Sequence, residues 1–246
     1  AASGLFHSFF RWNGADISEC VGFGNYLDLL KSKEFWDSFK LVFLLGAWNV
    51  LKMIPSLLVA VCIHRCRSIR LQFFYRCLFV VPMVIPGLVM VLIWRSFFFE
   101  ATAGYLNRFL TESGLLHLLC QLDGLFGLGI FSADKLPVWL GDPNMLIISC
   151  VIWGFPWLGS LAILIHLAKL QGINREIYEA AEIDGVNAWT KFTKIELPLM
   201  MGSIYILLVF VIIDTIKDAG TILALVGIEG GPGGKLTVPA LFMLRK

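Results

Sequence analysis

Apolar runs long enough to cross a bilayer, joined by short polar stretches, set the pattern of this chain. Residues 37 to 63, DSFKLVFLLGAWNVLKMIPSLLVAVCI, make the first run, with Lys40, Asn49 and Lys52 as polar positions inside it. A membrane-crossing helix needs about 20 mostly apolar residues, and Pro55 predicts a kink. A second run, 73 to 99, holds Pro82 and Pro86. It predicts a bent helix packed against others, because the carbonyls that proline frees must find partners inside the protein. Residues 100 to 143 contain no run of spanning length, are rich in glycine, and set Asp123, Asp134 and Asp142 against Arg108 and Lys135. They read as an external loop with short helices. A third span is expected over 144 to 168 and a fourth over 202 to 226; GIEGGPGGK then turns the chain into a last run from 237. The expected architecture is an all-α, polytopic membrane helix bundle, a single transmembrane domain over 1–246. The opening AASGLFHSFFRW reads as the end of an earlier span followed by interfacial aromatics, and VPALFMLRK as a span cut short.

Composition agrees with that pattern. Of the 246 residues 58% are hydrophobic and 15% charged, against about 25% charged in soluble domains. Orientation comes from HRCRSIRLQFFYR, where Arg65, Arg67, Arg70 and Arg76 stand with no acid. Such a loop belongs in the cytoplasm by the positive-inside rule, and it outweighs Arg11, Lys31, Lys33 and Lys40, which are spread through a longer mixed segment. A net charge of +2, with no basic run interleaved with aromatics, excludes nucleic acid as a partner. Cys62 and Cys66 lie one helical turn apart, but no second pair completes a metal set. The four histidines are widely separated and form no catalytic pair.

The most polar long stretch, EIYEAAEIDGVNAWTKFTKIELPLM at 176 to 200, lies on the cytoplasmic side between the third and fourth spans. Asn174 can cap a short helix, Glu176 and Glu179 suit its positive end, and Gly185 can stop it in a left-handed turn. A second helix is expected from Asn187 to Glu196, with Trp189, Phe192 and Ile195 on one face and Pro198 leading into the next span. On the first helix Ile177, Ala180, Ala181 and Asp184 share a face, and the paired alanines leave a shallow surface for close packing. The expectation is an elbow of two short helices, projecting where nothing in the chain covers it.

Glu179, Ala180, Ala181, Asp184 and Gly185, followed by Phe192, Ile195, Leu197 and Pro198, match the pattern E-A-A-x-x-D-G then F-x-x-I-x-L-P. This resembles the EAA loop of permease subunits of binding-protein-dependent ABC importers, with Val186 a mild departure from the usual alanine. VGFGNYLDLLKSKEFWDSFK, RCLFVVPMVIPGLVMVLIWRSFF and GIEGGPGG are similar to segments of the carbohydrate branch, the maltose and glycerol-phosphate type permeases. The resemblance implies a multi-pass subunit of a prokaryotic cytoplasmic (inner) membrane and a passive route, not an enzyme. It implies cytoplasmic ATPase subunits that bind ATP and Mg, a second permease chain, an external solute-binding protein and surrounding lipid. No phosphate-binding glycine loop occurs here, since GGPGGK lacks the spacing and the following Ser or Thr. Residues 171–198 would then be the coupling loop, with Glu179 facing basic groups of the ATPase, Ala180 and Ala181 seating closely, and Asp184 and Gly185 setting the bend. Trp189 and Phe192 would hold the second helix.

Polar groups inside the spans are the other candidates. Asp214, Lys217 and Asp218, spaced i, i+3 and i+4, fall on one helical face, and an intramembrane charge is by default paired or beside a water-filled path. Asn49 and Lys52 face the same choice, with structure the stronger reading for Lys52. Trp153 and Trp157, around Pro156, offer aromatic faces to sugar rings, although aromatics in apolar spans also serve packing and anchoring. Two other readings stay open on these residues alone: an ion-driven secondary transporter, and an intramembrane enzyme using Asp214 and Asp218 as a carboxylate pair. Against the enzyme, the two acids are one turn apart on one element with Lys217 between them.

Overall fold

The computed structural model describes residues 2–12, 17–127, 129–131 and 135–245; Asp134 lies outside them. A short helix α1 (Ala2–His7) leads into a two-stranded antiparallel ribbon, β1 (Phe10–Trp12) with β2 (Ile17–Cys20), in which Phe10 is opposite Cys20 and Arg11 opposite Glu19. After α2 (Gly24–Lys31), Ser32 accepts the Phe35 N–H and starts α3 (Lys33–Leu51). Helix α4 (Met53–His64) continues it, so that Lys33–His64 is one span-length apolar element. Its irregularity falls at Lys52, not at the predicted Pro55, although Pro55 explains it: with no N–H, Pro55 leaves the Leu51 carbonyl unbonded one turn earlier.

The arginine cluster forms a tight joint. Ser68 caps α5 (Ile69–Val80), which starts before the expected residue 73, so Arg70 and Arg76 ride on the helix itself. A 3₁₀ turn at Val81–Val84 and Pro86 then redirect the chain into α6 (Gly87–Ile93), at 88° to the helix before it. The predicted bent span is two helices nearly at right angles, because two prolines four residues apart remove successive backbone donors. A π turn, Trp94–Phe98, follows.

The segment expected as a loop with short helices holds α7 (Tyr105–Glu112) and α8 (Leu115–Phe126). Asn107, 1% exposed, organises its inner side: it donates to the Ala101 and Pro137 carbonyls and accepts the indole N–H of Trp139.

The third expected span is not one helix. It is α9 (Met145–Ile152), an irregular stretch through residue 159, and α10 (Ser160–Gln171). Gly154 (φ 78°), Pro156 and Gly159 break it, each removing either helical preference or a donor. Beyond it stand α11 (Arg175–Ile183) and α12 (Ala188–Lys191), which runs through a π turn into α13 (Leu197–Lys217). The fourth expected span stops at Lys217 and resumes as α14 (Gly220–Val226); α15 (Pro239–Arg245) closes the chain. Arg245 joins Glu34 and Glu229, fastening α15 to the start of α3.

Three apolar clusters hold these elements. One gathers Leu41, Leu146, Ile222 and Leu241; another Val91, Trp94, Trp139 and Leu225. The remaining one, nearer the arginine-rich joint, packs Ala60, Ile163, Leu167 and Met200 from α4, α10 and α13. Many large apolar side chains stay exposed, Phe43, Phe73 and Val84 among them. That is the surface a bilayer requires, since lipid is as apolar as the side chains it touches.

Candidate functional site

The break between α9 and α10 leaves backbone groups without helical partners in an apolar setting, where each unsatisfied group costs several kcal/mol, roughly. Trp48, Lys52 and Ser56, at four-residue spacing along one face of α3 and α4, supply the partners. Trp48 Nε1 donates to the Val151 carbonyl at 3.0 Å. Lys52 Nζ donates to the carbonyls of Cys150 and Trp153 at 2.9 and 3.2 Å. Ser56 Oγ donates to the Trp157 carbonyl at 3.2 Å and accepts the Gly159 N–H at 2.8 Å. An ammonium at the C-terminal end of α9 also meets the negative end of the helix dipole. The structural reading of Lys52 therefore has a definite content: its charge is committed to capping.

Behind this break lies a cavity of about 760 Å³, within the roughly 300–1,000 Å³ typical of small-molecule sites. Asn49, Lys52, Trp153 and Trp157 line one side. Asp214, Lys217 and Asp218 line another, so the separate candidates in the spans meet around one space. Their roles differ. Asn49 donates to Thr215 Oγ1 at 2.9 Å, stitching α3 to α13. Asp218 Oδ1 accepts the Thr221 N–H at 2.9 Å and starts α14, which corrects the expectation of one continuous helical face: the helix ends at Lys217, where Asp218 takes φ −74° and ψ 83°. Asp214 and Lys217 are exposed and have no ion-pair partner among the described residues. The indole N–H groups of Trp153 and Trp157 are buried with no hydrogen-bond partner there. The Trp157 ring meets Trp48 edge-on at 5.6 Å.

The polar insert forms an elbow, with modifications. Asn174 accepts the Glu176 N–H and caps α11; Asp184 ends it, and Gly185 (φ 67°) makes the left-handed turn. Glu179 is exposed and pairs with Arg175 at 2.7 Å. Ala180 is exposed, whereas Ala181 is 5% exposed, turned into the chain and not outward. The second arm is not a separate helix. From Ala188 to Lys217 the helix is continuous, and Pro198 sits within it. A wide turn with the Leu197 N–H bonded to the Phe192 carbonyl precedes the proline and makes room for its ring. Phe192 packs on the α4–α10–α13 cluster, while Trp189, its ring 5.9 Å from Phe192, is 71% exposed. Ile183 is 87% exposed.

Nor is the elbow wholly uncovered. Tyr178 meets the His64 ring at 5.8 Å, and Lys191 Nζ lies 4.7 Å from its ring centroid. Burial, reinforced by the nearby Glu196 carboxylate, pushes the Tyr178 phenol up to about 12. Beneath it Glu196, 0% exposed, accepts from Arg65 Nη2 at 2.6 Å and Nε at 3.4 Å. The sequence reading missed Glu196; its one signal was an acid inside the apolar IELPL, and its partner Arg65 lies 131 residues earlier.

The family model for the binding-protein-dependent transport system inner membrane component matches residues 53–245, from α4 to the last helix. The chain belongs to that family. It is 30% identical over 191 residues to the inner membrane ABC transporter permease protein YcjO of Escherichia coli, covering 75% of this chain and 57% of that one. The chain thus spans little more than half the length of that relative. It is 28% identical over 218 residues to the trehalose/maltose transport system permease protein MalF of Thermococcus litoralis, covering 88% and 66%. Among solved structures it superposes on a bacterial ABC transporter involved in the import of the acidic polysaccharide alginate, with a TM-score of 0.71 and 20% identity over 99% of this chain and 77% of that one. That likeness bears on the fold of this family member, which is the expected bundle of membrane helices.

Proposed function

We propose that this family member is a permease subunit of an ABC importer for a sugar or related polar solute, driven by ATPase subunits that grip its elbow. One observation carries the reading. The helix that begins in the exposed elbow at Ala188 runs unbroken to Lys217, which lines the cavity. Force applied at the elbow thus reaches the cavity through a single element, as alternating access requires. Saccharide transport named for relatives such as MalF supports the solute class. The cavity is lined by Trp153 and Trp157, whose flat aromatic faces suit a hydroxylated ring. In this reading ATP and Mg belong to the ATPase, an external binding protein delivers solute, and a second permease completes the route in a prokaryotic inner membrane. The carboxylate-pair enzyme is disfavoured because Asp218 spends an oxygen on capping α14.

Affinity purification of tagged protein from native membranes, with uptake measured for Glu179→Arg, tests the proposal. The expected result is a co-purifying ATPase for the parent and loss of both ATPase and uptake for the variant. Absence of any ATPase with the parent, together with uptake intact in the variant, would overturn it.

A further inference from the structure

Arg65 and Glu196 join two elements that are otherwise separate in sequence: the end of α4 and the turn through which the elbow enters α13. The guanidinium holds the carboxylate with two nitrogens and donates at 3.1 Å to the Ala188 carbonyl, the start of the elbow's second arm. The Tyr178–His64 ring contact and the Lys191–Glu182 ion pair at 3.3 Å bring α11 onto the same junction. Glu196 is fully buried and Arg65 partly exposed, and taking such a carboxylate out of water is a poor way to gain stability, since apolar residues of equal volume often do as well or better. A forked pair does fix the relative orientation of the two elements that carry it. Both elements line the cavity, α4 with Met53 and Ser56, α13 with Val211, Asp214 and Thr215.

We infer that the Arg65–Glu196 pair is a strut that makes the elbow, α4 and α13 move as one block when the ATPases close. Both are positioning residues, and the inference rests on the transport reading above. Without the strut the elbow would still dock, but α4 would no longer follow it.

The test is solute-independent. Spin labels are placed at Glu176→Cys and Leu58→Cys, both exposed positions, in a background with the six native cysteines replaced by serine. The assembled permease–ATPase complex is held in nanodiscs, resting and then trapped with ATP and vanadate. The parent is expected to give one narrow elbow-to-α4 distance in both states. Glu196→Gln should match it at rest and lose the single distance on trapping, and Arg65→Lys should do the same because it keeps the charge but loses the fork. The exchanged pair, Arg65→Glu with Glu196→Arg, should regain the narrow distance. A parent distance that changes on trapping overturns the inference, as does a single unchanged distance in both Glu196→Gln and Arg65→Lys. Broadening already present at rest assigns the pair to local folding and overturns it too. Failure of the parent to assemble with any ATPase would instead count against the transport reading.

Discussion

Two regions of this molecule interrupt apolar helices with polar chemistry, and they resolve it in opposite ways. At residues 150 to 159 the freed backbone groups are met from within the chain by Trp48, Lys52 and Ser56. At the elbow the helix ends are capped, yet Glu179, Ile183 and Trp189 stay exposed. Interrupted structure whose needs are met internally is architecture. Interrupted structure that leaves an aromatic such as Trp189 facing outward has a residue type enriched in interfaces.

That contrast can be broken by substitutions whose effects on stability should fall in a definite order. Arg65→Ala, at the junction between the two regions, leaves the fully buried Glu196 carboxylate unpaired, and should lower stability by about 3 kcal/mol. Lys52→Met strands two carbonyls at the break and should lower it by about 2 kcal/mol. Ser56→Ala, which removes one hydroxyl from the same row, should lower it by about 0.6 kcal/mol. Glu179→Arg lies on the exposed face and should change stability by less than about 0.5 kcal/mol, while abolishing ATPase co-purification. Unfolding in detergent, followed by intrinsic fluorescence, ranks all four. If Glu179→Arg were to destabilise more than Lys52→Met, the distinction between the two regions would be wrong.

How much of this was legible in the sequence follows the same division. Helix caps are local, so Asn174, Gly185 and the extent of α11 could be read directly. The breaks were harder, because an apolar run of spanning length looks the same whether or not its backbone is continuous. Residues 144 to 168 therefore read as one span despite Gly154, Pro156 and Gly159, because the side chains that support the break, Trp48, Lys52 and Ser56, lie about a hundred residues away. Pro198 misled in the other direction, since the wide turn before it keeps the helix intact. Glu196 belongs to neither pattern; only its partner Arg65 explains it, and pairing across the fold leaves no mark at either position alone. The cavity candidates were chosen one by one for intramembrane polarity, and tertiary structure alone could assemble them around a common space.

The continuity of the helix from Ala188 to Lys217 has one further consequence, in leverage. At about 1.5 Å per residue its 30 residues extend roughly 45 Å, so a tilt of about 5° at the elbow would swing the far end by about 4 Å. A small angular stroke at the membrane surface thereby becomes, at Lys217, a displacement comparable to the width of a sugar ring.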